Sequence, residues 1–361
     1  MTSPQASAVA GLVLLAACGG NTVSAPVAEP VFVPFKPAFR GFLPDAPLPE
    51  PRAYVSLVEA GGFLYAVGGL PPPPRRPLAN TSTTVFFTRI LADGSLEPWR
   101  ETESLNVPRS RTALVVSSPP AGPRALFALG GHAEDSSGLD SVERAFIQPD
   151  GTLSPWQLVA PLPAALTDGI VAQVGDTVAL TGGFFAGPPN AIRPDQVFIG
   201  TLGTDGPGAW RAAAPLPETT LGGAALAVGN RVHVVIGYTL ESQWSPSVYS
   251  GTLDPSGTIR SWVKGPSIGT LRYHAGAAAD GHGGLFLIGG IAPGGHVAGG
   301  EHSATDPGGN LVGWTPLGFL PVATGSVAAV GARGSLYVVG GLVGSGPSLA
   351  ATANVWRAAL N

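Results

Sequence analysis

Six side chains in short, turn-like segments have the chemistry of an anion-binding site. Arg52 lies in "PEPRAY", Arg109 and Arg111 in "VPRSRTA", Asp168 in "LTDG", and Arg272 with His274 in "LRYHAG". A guanidinium presents paired N–H donors in one plane, so it can grip a carboxylate through two parallel hydrogen bonds. Four arginines brought to one mouth would hold an acidic ligand, with His274 and Asp168 as the titratable groups beside it. Two glycine-bearing segments hold possible metal ligands: "HAEDSSGLD" with His132, Glu134, Asp135 and Asp140, and "GGHVAGGEH" with His296, Glu301 and His302. Their spacing fits no ligand motif, and glycine-rich loops do not preorganise a site, so no metal and no cofactor are expected. The sequence has no G-x-S-x-G nucleophile elbow, phosphate loop or dinucleotide fingerprint, and no catalytic residue is assigned.

The elements that would position these residues follow from composition and repetition. The chain has 361 residues, 44% hydrophobic and 12% charged, enough apolar material for a large core. Its formal net charge of −4 argues against nucleic acid as a partner, because phosphate binding needs a concentrated basic face. Gly 52 and Pro 37 fall between alternating apolar runs and read as turn punctuation.

The single cysteine bears on localisation. Residues 6–17, "ASAVAGLVLLAA", form an apolar run too short to span a bilayer and of the length of a signal-peptide core. It runs through Leu15-Ala16-Ala17 to Cys18, which resembles a bacterial lipoprotein lipobox. The resemblance implies a signal peptide over 1–17, a lipid on Cys18 and an extended Pro/Ala/Val-rich tether to residue 38. Met1–Gln5 lacks the basic residues such a signal carries, which fits a start site further upstream or a chain cut short. Gly19 after the cysteine points to an outer-membrane lipoprotein of the cell envelope.

An apolar strand ending in glycine recurs six times: "LYAVGG", "LFALGG", "TVALTGG", "VHVVIG", "LFLIGG" and "LYVVGG", ending at Gly69, Gly131, Gly183, Gly237, Gly290 and Gly341. The spacing is roughly 50 to 60 residues, longer than the helical-repeat periods. Five of the seven tryptophans, Trp99, Trp156, Trp210, Trp262 and Trp314, follow turn segments at one slot of this period. Each unit therefore reads as four strands: small-residue-rich a, glycine-terminated b, c with an aromatic in most units, and d with the tryptophan. Small residues suit an innermost strand crowded around an axis. A unit of this kind cannot cover both its faces and must stack on neighbours. Unit 4 departs from the pattern, with Ile236-Gly237 in place of Gly-Gly, and unit 5 has no aromatic on strand c.

The order b–Gly-Gly, c-aromatic, d-Trp resembles the kelch repeat over residues 39–361. The resemblance implies an all-β, six-bladed propeller. The last unit ends at strand c, so residues near 38–44, with Phe42 in the tryptophan slot, are expected to supply its outer strand and close the ring. In kelch units an Arg and a His in the d–a turn commonly serve packing, which is the default expectation for the six residues above. Copper-radical oxidases of this architecture need a Cys–Tyr crosslink, which the lipobox reading of Cys18 excludes. The function expected is a lipid-anchored, monomeric envelope module that binds a protein or glycan through its loop face. The alternative is an enzyme acting on an acidic sugar, similar to the kelch-type N-acetylneuraminate epimerases. The proline run "LPPPPRRP", with Arg75 and Arg76, reads as a solvated insertion, the alternative being a stiff protein-contact arm.

Overall fold

Alternating small and branched residues, closed by short Gly-containing turns, fold back as antiparallel hairpins. The computed structural model describes residues 37–72, 81–117, 119, 122–135, 137–183, 194–203 and 206–360. In it the hairpins build six antiparallel sheets of one plan, a-b-c-d. Blade 1 comprises Ser56–Ala60, Phe63–Val67, Val85–Arg89 and Arg100–Thr102; blade 2 comprises Ala113–Ser117, Ala125–Leu129, Val142–Phe146 and Gln157–Val159. Blade 3 comprises Ile170–Val174, Thr177–Thr181, Val197–Gly203 and Arg211–Ala212; blade 4 comprises Ala224–Val228, Arg231–Tyr238, Trp244–Leu253 and Ile259–Lys264. Blade 5 comprises Gly276–Ala279, Leu285–Ile288, Gly299–Thr305 and Leu311–Phe319. Blade 6 takes Ala328–Ala332, Ser335–Val339 and Val355–Ala359 from the C-terminal end and Leu43–Pro44 from the N-terminal end.

Successive a strands touch in order around the ring, and that of blade 6 touches that of blade 1. The protein is a six-bladed β-propeller. Blade 6 is completed by Leu43 opposite Arg357 and Pro44 opposite Trp356, with a bridge from Phe39 to Leu360. Proline is tolerated there because the outermost strand needs no outward N–H donor. The proposed signal peptide, Cys18, most of the tether, and Arg75 with Arg76 lie outside the described residues.

The core lies between blades. Leu64, Phe86 and Trp99 of blade 1 pack with Tyr337, Val339 and Val355 of blade 6, and equivalent clusters fill the other five interfaces. The tryptophans add directional contacts across these seams. Indole N–H groups of Trp99, Trp156, Trp262 and Trp314 donate to the carbonyls of Ala46, Glu103, Ala214 and Pro266 at 2.9, 2.8, 2.9 and 3.1 Å, each beside the preceding blade's outer strand. Trp210 has no such partner among the described residues.

The Gly-Gly pair ends strand b by steric necessity. In blade 2, Gly130 and Gly131 have φ of 60° and 107°, where side chains are disfavoured. The Gly131 N–H donates to the Leu166 carbonyl of blade 3 at 2.8 Å, so this close approach also ties adjacent blades. Blade 4 has Ile at the first of these positions. A branched residue resists the left-handed turn, and its strand b runs on to Tyr238, paired across the ladder with Trp244 after a bulge.

Candidate functional site

The d–a turns bring one residue per blade to the start of the innermost strand, and all six have left-handed backbone. They are Tyr54 (φ 54°), Arg111 (54°), Asp168 (50°), Gly222 (58°), His274 (49°) and Ser326 (52°). Five are not glycine, and each such residue costs on the order of 1 kcal/mol or more. Local bonds hold the geometry: Arg111 N–H donates to the Tyr54 carbonyl at 3.1 Å, and His274 N–H to the Gly222 carbonyl at 2.7 Å.

These turns bring several side chains together at one mouth of the ring. The Arg111 guanidinium donates to Asp168 Oδ2 at 2.5 Å. His132 Nε2 lies 3.2 Å from the same oxygen, and His274 Nε2 lies 3.4 Å from Oδ1. Arg111 sits over the Tyr54 ring at 3.9 Å, and Tyr54 meets His274 edge-on at 5.5 Å. Glycine at 222 is required by this arrangement, because a Cβ there would collide with the His274 imidazole.

The cluster is buried yet charged. Side-chain exposure is 6% for Asp168, 12% for Arg111 and 14% for His274. Burial alone would raise the Asp168 carboxyl, but the Arg111 charge and the hydrogen bonds from His132 and His274 hold it well below the usual carboxylate range. Burial, with the Arg111 charge, lowers the His274 imidazole against the pull of Asp168. Arg111 Nε, His132 Nδ1, His274 Nδ1, Ser110 Oγ and Ser326 Oγ are buried without a hydrogen-bond partner among the described residues.

Arg52, Arg109 and Arg272 do not join Arg111, Asp168 and His274. Arg109 is fully buried and donates to Glu143 at 2.7 Å and to the carbonyls of Gly130 and Ser141. Arg272 repeats this with Glu301 at 2.8 Å and the carbonyls of Gly289 and Gly299. Arg52 faces Phe86 at the corresponding strand-c position, 5.4 Å from its ring, and pairs with Glu50 at 2.9 Å. Arg109 and Arg272 tie the turn to strands b and c of their own blades, while Arg52 meets strand c only through the Phe86 ring. Among the possible metal ligands, His132 is taken by Asp168, Glu301 by Arg272, and His302 by Asp280 at 2.9 Å.

Tyr54 and the partnership of His132 with Asp168 were not anticipated from the sequence. Stacking the six turns "RAY", "RSR", "LTD", "TLG", "RYH" and "TGS" by their distance to strand a would have exposed Tyr54 in one column with Arg111, Asp168 and His274. The Asp168–His132 contact joins a d–a turn to the neighbouring blade's b–c loop, a pairing no spacing within one unit encodes. No family model matches the chain, and no curated protein matches it.

Proposed function

We propose that this protein is a kelch-like propeller of the bacterial envelope that binds a ligand at the mouth formed by its d–a turns. It is anchored in the outer membrane through a lipid on Cys18, acts as a monomer, and offers its loop face to a protein or glycan. The observation that carries the binding reading is the convergence of Arg111, His132 and His274 on the Asp168 carboxylate. Left-handed backbone at five non-glycine turn residues beside that carboxylate is the kind of strain that clusters at ligand sites.

The test is capture from envelope extract together with a glycan array, using the full chain and its His274→Ala and Tyr54→Ala variants. Retention of a specific ligand by the parent protein, lost in both variants at unchanged melting temperature, supports the reading. Equal retention by all three overturns it. Anchoring is tested separately: radiolabelled palmitate should enter the parent chain and not Cys18→Ser.

A second reading, an enzyme acting on an acidic sugar, is favoured by the same convergence. Two imidazoles against one carboxylate could move a proton, with Asp168 and His274 as the acid/base groups. Among the described residues, Arg111 alone of the four arginines remains to take a substrate carboxylate, and it is already paired with Asp168. Binding therefore stands as the primary reading.

A further inference from the structure

The break in the repeat at blade 4 builds a feature that the mouth cluster does not use. Because Ile236 keeps strand b extended, Tyr238 and Trp244 stand as a cross-strand pair beyond the point where the other blades turn. Their rings meet edge-on at 5.2 Å, and both meet Tyr273 of blade 5, at 5.7 and 5.5 Å. Tyr273 lies 4.4 Å from His274, so the three rings continue directly into the mouth. All three are half-buried and keep part of their surface open. Trp244 is also outside the repeat: five of the seven tryptophans fill the strand-d slot and Trp356 lies on a strand c.

We propose that Tyr238, Trp244 and Tyr273 form a stacking platform for a neutral sugar ring, whose hydroxyls reach the His274–Asp168–Arg111 cluster. The proposal rests on the reading of the mouth as a ligand site and names its ligand class. A pyranose has an apolar C–H face and a rim of hydroxyls, each both donor and acceptor. An arc of half-exposed aromatic rings covers the first, as such rings do where one end is apolar and the other wet. A cluster that mixes an acceptor carboxylate, a donor guanidinium and imidazoles of either role meets the second. Among the described residues, charge favours a neutral ligand over an acidic one. Arg111 is matched by Asp168, Arg109 by Glu143 and Arg272 by Glu301, so these pairs leave no net positive charge for a carboxylate.

Saturation-transfer NMR on the full chain tests this with cellohexaose, maltohexaose and chitohexaose as neutral probes and hexagalacturonate and oligosialic acid as acidic ones. Binding of a neutral probe is expected, with the largest transfer to protons on one C–H face of the ring. Trp244→Ala and Tyr273→Ala should each weaken it at least tenfold, and the mouth variants His274→Ala and Tyr54→Ala should abolish it. The parent protein's transfer pattern stands whether or not a variant folds. Preference for the acidic probes overturns the neutral-sugar assignment and leaves the mouth as a site. So does binding of no saccharide while capture of an envelope component still depends on His274. Absence of both removes the assignment and the mouth reading together.

Discussion

A charge buried in a propeller blade survives only with its partner, and Arg109 with Glu143 illustrates the demand. The Glu143 carboxylate accepts from the Arg109 guanidinium, from the backbone N–H groups of Asn106 and Val107, and from the Asn106 amide. Glu143→Ala strands a buried guanidinium and two turn donors, so it is expected to cost about 3–5 kcal/mol in urea unfolding. A loss under 1 kcal/mol would show the pair to be solvated. Arg109 and Glu143 come from different elements, 34 residues apart, and the sequence showed only that an arginine occupies the turn. His233 makes the second residue-scale prediction. Burial, then the Arg231 charge, pushes its imidazole down to about 4. The unfolded chain therefore takes up this proton first. Stability should be level above about pH 7 and fall as pH drops from about 6.5 towards 4, by up to ~1.4 kcal/mol per unit. The depressed His274 acts in the same direction. Asp168, held low, adds a loss only below about pH 4. Urea midpoints for the parent and His233→Gln at pH 7 and 5 check this: the variant's decline should be the shallower.

Among the elements, strand d joins neighbours through a hydrogen bond repeated at four of its tryptophans. Trp156→Phe removes the N–H bonded to the Glu103 carbonyl and should cost about 1 kcal/mol more than Trp210→Phe, where the indole N–H has no described partner. Equal losses would assign the tryptophan slot to packing alone. The strand pattern itself was legible, because alternation of period two and the glycine stop are local properties of "LFALGG" and its copies. The extended blade 4 hairpin was visible only as a missing glycine. What Ile236 does there depends on where Tyr273 of the next blade lies, and that is set by stacking.

For the whole molecule, closure is the feature with the largest mechanical consequence. A ring whose core lies between blades has every interface covered only if the first and last blades meet, and here Leu43 and Pro44 complete blade 6 while Phe42 is buried in its interface with blade 5. Deleting residues 19–45 is expected to lower the melting temperature by roughly 10 °C, taking about 2–4 °C per kcal/mol for a domain of this order of size. Scanning calorimetry of the two chains checks it, and an unchanged temperature would mean that the N-terminal strand contributes no closure.

The sequence by itself determined six four-stranded units, their order and the need for a strand from the other end of the chain, because each of these follows from short-range patterning repeated at one period. Tertiary structure alone decided which charged side chains meet. Arg109 and Arg111 are two residues apart, yet one turns into its blade towards Glu143 and the other towards the axis and Asp168. That choice depends on left-handed backbone at one position and on partners supplied by other strands and blades, and neither is written in the local spacing.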